Sequence, residues 1–205
     1  KPNFSYDKKT GAGEIEYTNY FLTDEFNDKA ESAVAGFKIL PSSFNWDYSM
    51  DGGGKLKDNI AYRGSTNSDG GHILAGADGY YTITLNTANN TATMVKYEGN
   101  VTNYGTIQIA GSFNEWADTP MLPYNTEGVE NHAWYYVMEV PAGETAQFKF
   151  KIAGSWDTSW GYGKADGDIN MFGKCEAGGK NLGLAEGKYV ISFNDITGAF
   201  SIVKL

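Results

Sequence analysis

Tryptophans in polar loops are the residues of this sequence whose type and setting could do chemistry. Trp116 directly follows a predicted strand, while Trp156 and Trp160 lie in the Gly- and Ser-containing loop 154–160. An indole ring that is exposed in such a loop offers a flat apolar face on which a ligand can stack. The competing interpretation is structural, with Trp116 as a plug in its loop and Trp160 as a lid over the core.

Catalytic and metal-binding chemistry finds little support in the sequence. The two histidines, His72 and His132, belong to no visible catalytic triad, and no nucleophile motif or phosphate-binding loop is present. Segment 166–170 begins like a calcium loop, but Met171 stands where such a loop needs Gly. The single cysteine, Cys175, has no neighbouring Cys or His ligands and is predicted to be a semi-buried structural residue. We therefore expect no catalytic residue, metal or cofactor.

The composition excludes several classes of protein. The chain of 205 residues carries 25 acidic and 16 basic side chains, and its net charge of -9 disfavours a nucleic-acid partner. Only 20% of the residues are charged, 15% are aromatic and 26 are Gly, which excludes a disordered acidic tail, a coiled coil and a helical bundle. Turn-rich β structure fits this composition best.

The sequence contains an internal repeat. Gly79–Asn86 lines up with Gly187–Asn194, and Thr93–Lys96 lines up with Ser201–Lys204, at a constant offset of 108 residues. In each copy apolar and polar residues alternate along both segments, with a turn between them, so each copy is predicted to end in a β-hairpin. Duplication is the economical explanation.

Short strands, punctuated by Gly, Asn, Asp and Pro, make up the rest of each copy. With almost no helical periodicity, they predict an all-β protein of two tandem immunoglobulin-like antiparallel β-sandwiches. The first covers residues 1–99 and is predicted to lack its opening strand, and the second covers residues 104–205. Trp134 and Tyr136 alternate within a strand and are expected in the core. The further strands are predicted at Glu14–Leu22, Gly36–Leu40, Ile107–Gly111, Ala133–Val140 and Gln147–Ile152.

The second copy carries a series of short motifs in a fixed order. They are Gly111-Ser112-Phe113-Asn114-Glu115-Trp116, Pro120-Met121, Phe148-Lys149-Phe150, Gly154-Ser155-Trp156 and Lys180-Asn181-Leu182. This order resembles the starch- and glycogen-binding modules of the β subunits of AMP-activated kinase and of branching enzymes, and those repeated in outer-membrane starch-binding lipoproteins of the SusE and SusF type. The resemblance covers about residues 104–205, and the tandem arrangement favours the SusE and SusF type.

The resemblance implies a carbohydrate-binding surface for α-glucan. Positions that match the family's motifs would supply two aromatic platforms, Trp116 and Trp156, and hydrogen-bonding groups at Lys149 and Asn181. Trp160, in the same loop as Trp156, is either an additional stacking ring or a lid over the core. An indole ring can stack on the apolar C–H face of a pyranose, while the Lys ammonium and the Asn amide hydrogen-bond its hydroxyls. Two tilted platforms select a curved chain of α-linked glucose, as in starch or a maltooligosaccharide, over a flat chain such as cellulose.

The first copy departs from this pattern. It retains candidate binding residues at Lys38, Trp46 and Tyr48, but the counterpart of Trp116 is absent if the opening strand is missing. It is either a second binding site or a spacer domain.

The expected function is non-catalytic binding that retains starch at the cell surface. The resemblance implies an outer-membrane lipoprotein of a gram-negative gut bacterium, anchored through a cysteine upstream of Lys1, that holds polysaccharide near a transporter and an amylase. Two alternatives stay open. A structural or adhesive sandwich protein would bury Trp116 and Trp156, whereas a glycoside hydrolase would use two carboxylates that need not be close in sequence.

Overall fold

The chain folds into β-sheets throughout the part that the structure describes. The structure is a computed structural model, and it describes residues 14–21, 54–55, 62–63, 73–74, 78–86, 91–124 and 130–205. These residues contain no α-helix, and most of their strand pairs are antiparallel, so the predicted all-β sandwich class is confirmed. The described residues up to Gly99 and those from Asn100 onward form two separate compact units. No helix among the described residues is long and apolar enough to cross a membrane.

The unit that ends at Gly99 is built around a four-stranded sheet of order β1-β5-β6-β3. Tyr81, Ile83 and Met94 are its buried apolar side chains among those described, and they follow the period of two that a half-buried strand requires. A separate parallel pair joins β2 to β4. The strands are β1 (Glu14–Phe21), β2 (Gly54–Lys55), β3 (Tyr62–Arg63), β4 (Ile73–Leu74), β5 (Gly79–Asn86) and β6 (Thr91–Lys96).

The unit that begins at Asn100 is a ten-stranded system with one short 3-10 helix, Ser112–Asn114. Its strands are β7 (Ile107–Gly111), β8 (Thr119–Pro120), β9 (Leu122–Pro123), β10 (Ala133–Ile152), β11 (Ser159–Gly161), β12 (Asp168–Ile169), β13 (Phe172–Lys174), β14 (Glu176–Ala177), β15 (Leu182–Asn194) and β16 (Ala199–Lys204). The two strands predicted at 133–140 and 147–152 are thus one continuous strand in the structure.

The long strands β10 and β15 pair with each other along both halves, and their register shifts between Val140 and Thr145. Beyond this shift, β10 also pairs with β7 and β11. Side chains from every second position of these strands fill the core, with Phe148 and Phe150 fully buried and Trp134 almost so. Tyr136 packs against the same core, as the sequence predicted for both Trp134 and Tyr136.

The terminal hairpins of the two units have the same register. Tyr81 pairs with Lys96 in β5 and β6, and Tyr189 pairs with Lys204 in β15 and β16. The neighbouring strand also corresponds, because Glu14 pairs with Asn86 in one unit and Ala133 pairs with Asn194 in the other. Strand β1 therefore occupies the place of the first half of β10 and not that of β7. The predicted absence of an opening strand concerns residues before Glu14, and that prediction, like the predicted strand 36–40, lies outside the described residues.

A buried polar cluster closes the end of the sandwich where β10 begins and β15 ends. The His132 side chain is fully buried, with Nδ1 2.6 Å from Asp195 Oδ1 and Nε2 3.1 Å from Glu130 Oε1. The indole N–H of Trp134 donates to the other Asp195 oxygen at 2.8 Å. Burial disfavours a charged imidazole, but the hydrogen bonds and charges of Asp195 and Glu130 outweigh it and raise the pKa of His132.

This cluster predicts a stability that depends on pH. Because the folded pKa of His132 is raised above 6.5, the contribution of its pairing is complete below that value and is lost as the pH rises through the folded pKa. Replacing Asp195 with Ala leaves the imidazole and the Trp134 N–H without their shared acceptor. We expect Asp195→Ala to lower the free energy of unfolding by about 3 kcal/mol at pH 6.

Urea unfolding of the wild type and of Asp195→Ala between pH 5 and pH 9 measures both effects. The difference between the two proteins should shrink as the pH rises. A difference that is constant over this range would show that His132 is neutral in the folded protein.

Candidate functional site

Two exposed tryptophans lie side by side on the unit that begins at Asn100. Trp116 is 37% exposed and Trp156 is 46% exposed, which is unusual for the largest apolar side chain. Their ring centroids are 5.9 Å apart, and the ring planes are inclined at 59°. The structure therefore brings together two tryptophans that are 40 positions apart in the sequence, as a bent pair of apolar faces open to water.

The loop that carries Trp116 is fixed by the preceding residues of its motif. A side chain at Gly111 would place a Cβ atom 2.2 Å from the Gln147 carbonyl oxygen, so the close approach of β7 to β10 requires glycine here. Ser112 Oγ accepts the Gln147 N–H at 3.0 Å. The amide of Asn114 accepts the Gly111 N–H at 2.9 Å and donates to the Ala117 carbonyl oxygen at 2.7 Å.

The backbone at the tip of this loop is strained. Glu115 has φ 57 and Trp116 has φ 62, which places two consecutive residues with side chains in the left-handed region. Each such residue costs on the order of 1 kcal/mol, and strain of this kind persists only where the surroundings impose it. Here the Asn114 amide and the 2.8 Å bond from the Trp116 N–H to the Gly111 carbonyl impose it. The result is an indole ring that is held outward.

The loop that carries Trp156 is the tip of the hairpin between β10 and β11, closed by the bond from the Ile152 N–H to the Thr158 carbonyl. Lys151 Nζ lies 4.7 Å from the centroid of the Trp156 ring, a cation–π contact. The same ammonium donates to Asp118 Oδ1, and Asp118 Oδ2 accepts the Gly154 N–H at 2.7 Å. The Gly154 N–H and the Lys151 ammonium hold the pKa of the Asp118 carboxyl below its usual value, so it is ionised at neutral pH.

The predicted residue Lys149 lies on β10 between Gln147 and Lys151, and the predicted Asn181 directly precedes β15. Phe148 and Phe150 point into the core, so Gln147, Lys149 and Lys151 point to the opposite face of β10. Lys151 meets Trp156 at one end of this row. At the other end, the Asn181 amide donates to Gln147 Oε1 at 3.1 Å. The row from Gln147 to Lys151 spans roughly 13 Å at the rise of a β-strand.

Lys149 is the half-buried cation in the middle of this row. Partial burial lowers the pKa of its ammonium, the charge of Asp166 opposes the shift, and Lys180 adds to it. A half-buried ammonium has three donors that can point to a ligand.

Other predicted features have structural roles. Trp160 pairs with Phe150 across the strands and therefore points to the core side, where its ring lies 5.4 Å from that of Phe193. The structure does not bring it to the face of Trp116 and Trp156. In the calcium-like segment, Asp168 accepts the N–H groups of Lys164 and Ala165 at 2.8 and 2.9 Å, which lowers its pKa. Within the described residues, no group of three or more potential ligands is placed to hold a metal ion.

Sequence reasoning missed three residues of this site. Gln147 and Lys151 belong to the face of Lys149 by the alternation of β10, a signal that was available in the sequence. Nothing in the sequence indicates that Asp118 reaches Lys151, since the contact joins residues 33 positions apart. The first-copy candidates Lys38, Trp46 and Tyr48 lie outside the described residues.

Comparison with known proteins adds little to this site. No protein family model and no curated protein matches the chain. Among solved structures, the chain is similar to the one titled "Crystal Structure of SusF from Bacteroides thetaiotaomicron", with 15% identity and a TM-score of 0.42. The match covers 61% of this chain and 31% of that one, so this chain corresponds to less than a third of the SusF chain. At this distance, SusF carries no information about what this chain binds.

The Asn114 amide predicts a local effect on the Trp116 loop. Asn114→Ala removes the side-chain hydrogen bonds to Gly111, Ala117 and Thr119 and a longer one to Ile109, and should lower the free energy of unfolding by about 1–3 kcal/mol. Asn103→Ala is the matched control, because that amide makes an exposed turn bond to Gly105 and should cost less than about 0.5 kcal/mol. Urea unfolding measures both. Equal effects would mean that the Asn114 bonds do not hold the loop.

Proposed function

We propose that the unit beginning at Asn100 is a non-catalytic carbohydrate-binding module for α-glucan, and that Trp116 and Trp156 form its stacking surface. The observation that carries this proposal is the exposed pair of indoles, 5.9 Å apart and inclined at 59°. A flat ligand would touch only one face of such a pair. A curved chain of α-linked glucose, as in starch or maltooligosaccharides, can place sugar rings on both.

Polar groups along the row of β10 support the same assignment. Lys149, two positions before Lys151 on the same face of β10, supplies ammonium donors, and Asn181, held by Gln147, supplies an amide that can both donate and accept. Sugars combine apolar faces with paired hydroxyls, and the face offers partners for both. With about 1 kcal/mol for each stacking contact and each net hydrogen bond, and after the cost of association, a single site should bind in the micromolar to millimolar range.

The chemistry of Asp118 supports binding without catalysis. A glycoside hydrolase needs a carboxyl with a raised pKa as its general acid. The carboxyl of Asp118, two positions from Trp116, is engaged through both oxygens and has a lowered pKa. Exposure of both indoles likewise disfavours a purely structural or adhesive protein, in which these rings would be buried.

The proposal extends to the cellular setting that the motifs imply. We infer an outer-membrane lipoprotein of the SusE and SusF type that retains polysaccharide at the cell surface, near a transporter and an amylase. A second site in the first copy, at Lys38, Trp46 and Tyr48, would raise avidity if the two sites can engage one glucan chain.

The stacking pair predicts a loss of binding without a loss of stability. Trp156→Ala should abolish retardation in an amylopectin affinity gel, because one of the two stacking surfaces is lost, while the melting temperature stays nearly unchanged because the ring is exposed. Val137→Ala is the matched control. It truncates an exposed apolar side chain on β10, and the variant should be retarded like the wild type.

Gels that contain pullulan, dextran or xylan test the class of ligand, and we expect retardation by α-1,4-linked glucans and none by xylan. Retardation by amylopectin that survives in the Trp116→Ala, Trp156→Ala double variant would place binding on another surface.

Lys149 is expected to contribute less to ligand binding than Trp156. Lys149→Met keeps most of the side-chain volume but removes the donors, and it should weaken binding of maltoheptaose about tenfold, corresponding to one charged hydrogen bond. Isothermal titration measures this change. The exposed Lys174→Met provides the control, and an equal loss in both variants would indicate a general effect of charge.

A further inference from the structure

Asp118 joins the loops of the two tryptophans. It lies two positions after Trp116, and through Oδ2 it accepts the N–H of Gly154, two positions before Trp156. Through Oδ1 it binds Lys151, whose ammonium lies over the Trp156 ring. One carboxylate is therefore connected to both loops and, through Lys151, to one face of an indole.

Lys151 is too buried to contact a sugar ligand directly. Its side chain is only 3% exposed, in contrast to the half-buried Lys149 two positions earlier on the same face. The ammonium occupies one face of the Trp156 ring, so a sugar can stack only on the other. Lys151 can influence a ligand only through the ring that it contacts.

Burial of the Lys151 side chain requires a reason other than stability. Taking a lysine ammonium out of water is unfavourable, and because its partner Asp118 is exposed, water weakens the attraction between the two charges. What the pair does provide is direction, because two carboxylate oxygens with different partners fix the orientation of both partners. Without it, the tip of the β10–β11 hairpin keeps the bond from the Ile152 N–H to the Thr158 carbonyl, but loses its bond to Asp118.

We propose that Asp118 and Lys151 are positioning residues that set the mutual tilt of Trp116 and Trp156, and with it the curvature of the glucan that the pair accepts. This inference rests on the proposed function for its consequence in binding. The effect on the tryptophan pair itself is independent of any ligand.

Circular dichroism tests the geometry directly. Two indoles at this distance couple their electronic transitions, and the size of the resulting couplet depends on the angle between the rings. Lys151→Met should reduce the couplet and weaken binding of maltoheptaose about tenfold. Lys151→Arg can keep the cation and its bond to Asp118, and it should therefore keep both the couplet and the affinity. Lys149→Met is the matched control, because it should weaken binding while the couplet stays unchanged.

The Asp118 variants test whether the two residues act together. Asp118→Asn should reduce the couplet and the affinity like Lys151→Met, and the double variant should lose no more than either single variant. If a single variant does not fold, as judged by thermal unfolding, the double variant removes both charges at once and replaces it in the comparison. Fully additive losses would overturn the proposal.

The readouts separate this inference from the proposed function. A Lys151→Met protein that keeps the couplet overturns the positioning role, whatever its affinity. A Lys151→Met protein that loses the couplet but binds maltoheptaose like the wild type, while Trp156→Ala does not, overturns the proposed link between the tilt of the rings and the glucan that they accept. If Trp156→Ala itself binds maltoheptaose like the wild type, the proposed function fails, and the couplet still decides whether Asp118 and Lys151 set the geometry of the pair.

Discussion

The full burial of Phe148 and Phe150 is the constraint on which the rest of this site depends. Side chains of a strand alternate between its two faces, so two core phenylalanines separated by one residue fix Lys149, and with it Gln147 and Lys151, on the other face. A shift of the strand register by one residue would turn Gln147, Lys149 and Lys151 into the core and expose Phe148 and Phe150. Burial of the apolar side chains stabilises the sandwich. The same burial fixes the direction of Gln147, Lys149 and Lys151, so no separate scaffold is needed to place them.

Polar bonds hold the two loops that carry the tryptophan pair. The Asn114 amide holds the Trp116 loop in place although two of its residues have left-handed backbone angles. Asp118 links that loop to the one that carries Trp156. Strained backbone and a buried lysine ammonium both lower stability relative to a relaxed turn and an apolar side chain. They occur together within a few residues of the two exposed rings, which is where orientation matters for a ligand. The features that lower stability therefore lie where the proposed site needs a defined geometry.

Much of the fold could be predicted from the sequence, because periodicity and turn residues act locally. Ile107–Gly111 and the hairpin strands have the predicted bounds within a few residues, whereas β10 continues through a segment that contains Pro141 and Gly143 and was predicted as a break. At the site, the motifs indicated Trp116, Trp156, Lys149 and Asn181, and the alternation of β10 could have added Gln147 and Lys151. The contact of Asp118 with Lys151 and the inward direction of Trp160 could not be predicted, because both depend on which strands pair, and pairing is a long-range property that no local pattern encodes.

The two hairpins with a common register show how far fold and site can vary independently. Their apolar residues, such as Tyr81 and Ile83 in one unit and Tyr189 and Ile191 in the other, face the core at equivalent positions. The residues proposed to bind sugar in the second unit lie on loops and on the outer face of β10, where substitution leaves this core intact. A unit can therefore keep its apolar core whether or not it carries a binding surface, because a binding site depends on its own exposed rings and donors.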